Sequence, residues 1–303
     1  MTEEFTDFLN DFIQKSRFSN REHLPAFWIE AEVALARIPD KYVWPVESSD
    51  KVALWVTDTT SLNTWYWGDI VKRINATLFF QSSKFKTLLE GIARAAVENN
   101  LLTLTLLMRS LFENCATLYD FGTLIERRLN GFDCDSLTKS KFVDKAFEDE
   151  LIIFSHGSRF NWRGLLSGDL DAWINAPDDV KPEHKQKNVM TRIHRVAAEK
   201  RYGAFELLYA WLCDYVHPNL GSHMLFVLDE RALEDGSIRM ELGRSVERDH
   251  TINLLEPFTG GILSCLEIIS KKTTAVVNVT EPVGHWCREH YIQYVRKAGT
   301  GRN

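Results

Sequence analysis

The chain has 303 residues and a formal net charge of −6 at pH 7, with 45 % apolar and 26 % charged residues, a composition that allows one large globular domain or two average ones. The acidic balance argues against a general nucleic-acid coat protein but says little about a local basic site. With 16 glycines and 8 prolines, the chain favours long helices over many short strands.

The N-terminal segment predicts two helices. Apolar side chains, beginning with Phe5 and Phe8, recur at helical spacing over residues 1–16. Pro25 stands where a second helix would begin, and an apolar pattern continues from there to Ala36. Each helix therefore has an apolar face to bury against the rest of the protein.

Residues 39–65 predict a loop with a short extended piece near 51–56, because prolines and turn-forming residues are frequent there. Tryptophans are dense around this loop, and two interpretations stay open. They cover the hydrophobic core, or they stack on a base or another ligand. The residues are Trp44, Trp55, Trp65 and Trp67.

Helices are predicted next over 67–78, 84–99 and 101–129. The third is apolar on nearly every side over its first two turns. It is therefore expected at the centre of a helical protein. Residues 130–146 predict a polar connection, with a helix resuming near Phe147.

The C-terminal half begins with a long surface excursion of the chain, a loop predicted over 155–187 because this segment is rich in Gly, Asp and Pro. A helix restarts near Gln186, breaks near Gly203 and ends at Val216, before Pro218.

The chain has one clear β signal. Residues 224–228 and 237–242 predict a hairpin around a turn at 234–236. Helices over 251–273 and 282–297 follow it. The expected fold is mostly α, a helical bundle with a small β-hairpin near residues 224–242.

The predicted domain organisation has three parts. N-terminal helices and the tryptophan-rich loop (1–80) pack on a helical core that carries the hairpin (81–297). The last residues (298–303) form a frayed tail.

Cysteine usage and apolar run length predict the compartment. The five cysteines are widely spaced without a C-x-x-C pair, which disfavours a disulfide framework or a zinc ribbon. The N-terminus is acidic, unlike a signal peptide, and we find no run of about 18 apolar residues that would predict a membrane span. A cytoplasmic protein without a membrane partner is expected.

Arg109 and Glu113 form the first candidate polar site. They stand four residues apart, so they share one face of the predicted 101–129 helix. Their neighbours are mostly apolar, and buried charges must be paired. Two interpretations stay open, a structural ion pair and a polar cavity lined by both side chains.

Asp214 and His217 form the second candidate site. Asp214 stands one turn before His217, where it could accept a hydrogen bond from Nδ1–H and leave Nε2 facing a cavity. Pro218 makes this alignment approximate. The alternative is that His217 caps the helix and is satisfied by backbone. His223 could join the same site.

A basic stretch runs from Lys181 to Arg201. Its cationic side chains could attract phosphates, and the alternative is a solvated helix face. The candidate phosphate-binding residues are Arg192, Arg195, Lys200 and Arg201.

Several catalytic and metal motifs are missing from the sequence. It contains no Walker A loop, no G-x-G-x-x-G, no G-x-S-x-G and no H-E-x-x-H. His285 and His290 flank Cys287 without a second cysteine at useful spacing. The prediction is therefore a protein without a metal or a cofactor.

Two segments resemble a known family. The segment Arg-Ser-Leu-Phe-Glu (109–113) and the later Tyr-Val-His-Pro (215–218) are similar to uncharacterised bacterial proteins. Those proteins are related to the HEPN domains (higher eukaryotes and prokaryotes nucleotide-binding), which include abortive-infection proteins. The similarity covers residues 85–275.

The resemblance implies an up-and-down helical bundle, often dimeric, and in active members metal-independent RNA cleavage. There an arginine stabilises the developing charge, and a histidine on the same helix handles the 2′-OH proton or the leaving group. This chain departs from that pattern, because positions 210–213 before His217 hold no arginine. Arg109, which lies on another helix, would have to take the role of that arginine.

The leading hypothesis is a HEPN-like RNA-processing or phage-defence protein, with RNA or a nucleotide as ligand and a homodimeric state. Arg109 would bind phosphate, His217 would be the general acid and base, Asp214 would orient it, and Glu113 would position Arg109. The alternatives are a non-catalytic helical module that binds a partner protein, and a small-molecule pocket lined by the tryptophans.

Overall fold

The computed structural model describes residues 1–43, 56, 58–155, 188–218, 220–243 and 246–300. The α-helices are α1 (Glu3–Lys15), α2 (Leu24–Ala36), α3 (Thr59–Val97), α4 (Leu101–Leu129), α5 (Lys145–Ser155), α6 (Val189–Ala197), α7 (Phe205–Val216), α8 (Leu220–Met224), α9 (Arg248–Leu255) and α10 (Thr259–Thr300). The strands are β1 (Val227–Ala232) and β2 (Ile238–Leu242). The predicted fold class, mostly α with a small hairpin, is confirmed.

Two compact units divide the chain. The first unit contains Met1–Ile38, Gln81–Asp120 and Val189–Thr273, and the second contains Pro39–Phe80, Phe121–Asn188 and Thr274–Asn303. The division cuts the predicted segment 1–80 after Ile38. It also passes inside the long helices α3, α4 and α10.

The N-terminal helices belong to the first unit and agree with their predictions. Thr2 caps α1 by accepting a hydrogen bond from the Phe5 N–H, which satisfies one of the free donors of the first turn. The buried face of α1 includes Phe8 and Phe12, and the Phe5 ring lies 4.7 Å from that of Trp28 in α2. Burying each large apolar side chain stabilises the fold by about 1.5–3 kcal/mol.

Helix α4 spans the predicted residues, and its N-terminal part is the central helix of the first unit. Six of its apolar side chains in this unit have no exposed surface. These are Leu104, Met108, Leu111, Phe112, Cys115 and Ala116. The all-round apolar pattern therefore predicted the position of this helix correctly.

Trp67 belongs to the core of the second unit. It is 1 % exposed, its ring stacks on Phe142 at 5.7 Å, and its indole N–H donates to the Phe142 carbonyl. Trp65 is 37 % exposed. Trp44, Trp55 and residues 51–55 of the predicted extended piece lie outside the described residues, as does the predicted excursion from residue 156 to 187.

Two predicted helix breaks are wrong. Helix α3 is continuous over Thr59–Val97, although a loop to residue 65 and a gap at 79–83 were predicted. The polar run Gln81–Ser83 contains no glycine or proline, so nothing there interrupts the backbone hydrogen bonds. The predicted loop residues from Thr59 onward likewise continue into the helix.

The second wrong break concerns Pro282, which lies inside α10. Proline removes one backbone hydrogen bond and normally kinks a helix. Here the proline itself is exposed, while Val276 and Val283 on either side are buried. Burial of the flanking turns offsets the local loss.

The hairpin is confirmed with a shifted start. Met224 ends α8, so β1 begins at Val227. Gly236 has a positive φ of 82° in the connecting turn, a conformation that glycine adopts without steric cost. The strands pair antiparallel, with a bulge between Val227 and Asp229.

One helical stretch bears on the prediction that the chain has no membrane span. Within the described residues, Arg248–Tyr291 is long and apolar enough to cross a bilayer by length and composition alone. However, 56 % of its most apolar window is buried inside the structure. A core helix of a soluble protein has the same property.

Candidate functional site

Arg109 and Glu113 form the ion pair that their spacing predicted. The Nε atom of Arg109 lies 3.2 Å from Glu113 Oε1, without hydrogen-bond geometry. The side chains are 28 % and 34 % exposed, so the pair is half-buried rather than sealed in the core. An exposed i,i+4 pair stabilises a helix by about 0.3–0.5 kcal/mol, which is too little to make this pair a dominant brace.

Tyr209 of α7 joins this pair. Its hydroxyl donates a 2.8 Å hydrogen bond to Glu113 Oε1, and the Arg109 guanidinium hydrogen-bonds the same tyrosine. The tyrosine is 3 % exposed. The site therefore links two helices of the first unit, and we call Arg109, Glu113 and Tyr209 the α4–α7 cluster.

The environment keeps Arg109 charged. Partial burial by itself lowers the pKa of Arg109, but the hydrogen bond with Tyr209 and the nearby Cys213 and Glu113 outweigh it, and the net shift is upward. Burial, followed by the hydrogen bond to Glu113, raises the pKa of Tyr209. Tyr209 is therefore a neutral donor at neutral pH, and Arg109 is a fixed cation.

His217 is the C-cap of α7. Its backbone is extended, with φ −76° and ψ 149°, and its N–H donates to the Cys213 carbonyl at 3.0 Å. This is the conformation that Pro218 was expected to impose. The side chain of His217 is exposed. Cys213, which neighbours Arg109, precedes it by one turn, about 6 Å along the helix.

Asp214 lies beside the backbone that follows His217. The orienting role proposed for it from the sequence stays a prediction. The carboxylate of Asp214 packs against Gly221 in α8, where a Cβ would lie 2.2 Å from Oδ2. Asp214 thus supports the turn that follows His217. His223 is an exposed residue of the same short helix.

Two of the predicted phosphate-binding arginines contact Asp120 of α4. Arg192 is 3 % exposed; its Nη1 donates to Thr117 Oγ1 at 2.9 Å, and its Nε lies 3.9 Å from Asp120 Oδ2. Arg195 donates to the other carboxylate oxygen of Asp120. Burial lowers the pKa of Arg192, and the Asp120 charge opposes this shift. These contacts hold α6 against α4.

The other two predicted phosphate-binding residues lie nearer the surface. Arg201 pairs with Glu267 at 3.2 Å and with Glu199 at 3.4 Å, and its guanidinium stacks over Tyr202 at 4.5 Å. Lys200 is exposed. Phosphate binding by these four residues stays a prediction.

Tyr209 is the residue that the sequence analysis missed. It precedes Cys213 by four residues and His217 by eight, so the three positions recur at one-turn intervals along α7. That repeat was visible, but a tyrosine among apolar residues is equally typical of a core position. Only the packing of α7 against α4 distinguishes the two roles.

The fold and this cluster define a mostly α-helical protein with a polar cluster shared by two helices of one unit. In the described part of the chain, no group of three or more histidine, cysteine or acidic side chains is arranged to hold a metal ion. Comparison with models of protein families, with curated proteins and with solved structures finds no match to this chain.

Proposed function

We propose that this chain is a HEPN-like RNA-processing protein that cleaves RNA without a metal ion. The proposal rests on the resemblance of the segments around Arg109 and His217. The single structural observation that carries it is the position of Arg109. This charged residue of α4 pairs with Glu113, which accepts a hydrogen bond from Tyr209 of α7, the helix that ends before the exposed His217.

Each residue of the site has a role in the proposal. Arg109, partly exposed, binds the scissile phosphate and stabilises its developing negative charge. His217 removes the 2′-OH proton or protonates the leaving oxygen. Glu113 and Tyr209 are positioning residues that hold the guanidinium. Asp214 is a positioning residue as well, because it supports the turn after His217.

The proposal places the protein in the cytoplasm, with RNA as the ligand and phage defence as the context. All five cysteines are free thiols, and Cys115, Cys265 and Cys287 are buried. Free buried thiols are typical of proteins from reducing compartments.

The test is an RNA-cleavage assay on the full chain with EDTA present. Wild type is compared with Arg109→Ala and His217→Ala, and His285→Ala is the matched control. His285 is exposed, and its charge partner is Glu289, on its own helix. Thermal melts of all four proteins establish that the variants are folded.

We expect wild type and His285→Ala to cleave RNA, and His217→Ala to lose about 10²–10⁴-fold in rate. Arg109→Ala should lose activity to a similar extent. Wild-type protein that leaves single-stranded and hairpin RNA intact would contradict the proposal. So would a His217→Ala variant that cleaves as fast as wild type.

A non-catalytic binding or regulatory module is the second candidate, and one observation favours it. The charges near the site are already matched within the protein: Glu113 faces Arg109, and Asp120 faces Arg192 and Arg195. Inert wild type together with a lower melting temperature of Arg109→Ala would favour this module, because the α4–α7 cluster would then serve only stability.

A further inference from the structure

Strand β2 leaves one backbone edge unpaired. In the part of the chain that the structure describes, the sheet contains β1 and β2 alone. The Leu233 N–H donates to the Ser237 carbonyl at 2.7 Å, which identifies these two residues as a hydrogen-bonded pair of the antiparallel ladder. Antiparallel strands alternate between inward and outward backbone groups. The groups that point away from β1 therefore belong to Ile238, Met240 and Leu242.

The same three residues expose large apolar side chains. Ile238 is 60 % exposed, Met240 54 % and Leu242 66 %. They alternate with Arg239 and Glu241, so they share one face of the hairpin. A flat, apolar, unpaired edge is a template for pairing with another strand, and an isolated two-stranded hairpin is marginally stable.

The charges on the other face are unfavourable within one copy. Arg239 stands opposite Arg231, and Glu241 stands opposite Asp229. Like charges directly opposite each other destabilise an antiparallel pair. Asp229 and Arg231 form an ion pair along β1. Among the described residues, Arg239 and Glu241 have no ion-pair partner, so each can accept a partner from outside.

The sequence of β2 supplies that partner if it meets itself. It reads Ile-Arg-Met-Glu-Leu, which is complementary to its own reverse in charge and in size. We infer that β2 pairs antiparallel with β2 of a second copy of this chain, about a two-fold axis that passes beside Met240. Arg239 then faces Glu241 of the partner subunit, and Ile238 faces Leu242 of the partner subunit.

The hydrogen-bond phase agrees with this register. Met240 directs its N–H and carbonyl outward, so it exchanges both with Met240 of the partner subunit. The Arg239 and Glu241 positions then form the non-hydrogen-bonded pairs, whose Cα atoms are about 4.5 Å apart and whose side chains are closest. Arg239 and Glu241 therefore each face an opposite charge of the partner subunit, in the type of pair that brings side chains closest together.

The pairing yields a closed assembly. An antiparallel two-fold contact uses the same surface on both subunits, so it stops at two copies. The two hairpins become one four-stranded sheet, above the size at which a sheet has independent stability. This interface uses the hairpin and does not depend on the proposed RNA chemistry.

Charge reversal at Arg239 tests the register, because it should stabilise the hairpin within one subunit and weaken the contact between two subunits. In Arg239→Glu, the new carboxylate faces Arg231 favourably within the hairpin but faces Glu241 of the partner subunit unfavourably. In the double variant Arg239→Glu/Glu241→Arg, the charges across the two-fold axis are complementary again. Both substitutions are at exposed positions, so we expect the variants to fold like wild type.

The measurement is sedimentation equilibrium of the full chain at several protein concentrations. We expect wild type and the double variant to dimerise with similar affinity, and Arg239→Glu to dimerise about tenfold more weakly. A second variant, Met240→Pro, removes an outward N–H and leaves the bonds to β1 in place. It should abolish the dimer while the helical signal is unchanged.

Two results would overturn the inference. One is wild-type protein that remains monomeric up to about 0.1 mM, at which even a weak dimer is populated. The other is a dimer whose affinity is unchanged by Arg239→Glu and by Met240→Pro, because a different surface would then form it.

Discussion

A side chain at position 221 would overlap Asp214, since a Cβ on Gly221 would lie 2.2 Å from Oδ2 and 2.9 Å from Cγ of Asp214. The contact joins the last turn of α7 to α8 across the residues that follow His217. The carboxylate was expected to orient the histidine ring, and that role stays a prediction. Its position against Gly221 places it beside the backbone that follows His217.

Gly221→Ala should therefore lower the free energy of unfolding by about 1 kcal/mol, because the exposed Asp214 carboxylate must rotate away from the new methyl group. The measurement is urea-induced unfolding, followed by circular dichroism. Gly68→Ala is the control, because nothing lies within 4 Å of a Cβ there and alanine favours a helix. Adding Asp214→Ala to Gly221→Ala should recover part of the loss, and a strictly additive double variant would contradict the overlap.

Tyr209→Phe removes the hydroxyl that donates to Glu113 while keeping the ring. We expect the free energy of unfolding to fall by about 1–2 kcal/mol, since the half-buried carboxylate loses its donor. Tyr215→Phe is the control on the same helix. The Tyr215 ring packs near Phe258, and its hydroxyl has no hydrogen bond among the described residues. Equal losses for both variants would show that the Glu113 contact contributes nothing.

Arg192→Ala should be strongly destabilising, by about 3 kcal/mol, because it leaves the 10 % exposed Asp120 side chain with less compensating charge. Arg201→Ala should cost less than about 1 kcal/mol, because its ion pairs are near the surface. Thermal melts with matched denaturant titrations measure both. If the two variants lose the same stability, the buried contact of α6 with α4 is not a structural anchor.

Glu150 should make the stability of the second unit depend on pH. Partial burial raises the pKa of Glu150, but the hydrogen bond and charge of Arg128, 2.7 Å away, together with Arg127, lower it below 4.5 overall. A lowered folded-state pKa contributes stability above the unfolded pKa, and that stability is lost as pH falls through the folded value.

Glu150→Gln should therefore reduce stability at pH 7 by less than about 1 kcal/mol, because the pair is partly exposed. The difference from wild type should shrink as pH falls through the lowered folded-state pKa of Glu150. Unfolding titrations at pH 7 and pH 3 measure it, with Glu98→Gln as an exposed control. A difference that stays constant across this range would contradict the assignment.

Local patterns were sufficient for much of the fold. The apolar spacing in α1 and α4 predicted their bounds closely, because an amphipathic or all-apolar pattern depends only on residues that are near one another in the sequence. The hairpin followed from its turn at Gly236 and its alternating strand β2. The Arg109–Glu113 pair was also predictable, since residues four apart on a helix are neighbours in any fold.

The remaining features depend on contacts between distant segments. The continuity of α10 through Pro282 depends on burial of the turns around it, and the burial of Arg192 depends on Asp120, which lies 72 positions earlier in the chain. Tyr209 became part of the candidate site only because α7 packs on α4. Sequence periodicity shows which face of a helix is buried, but the identity of the facing residues is decided by the packing of elements that are far apart in the chain.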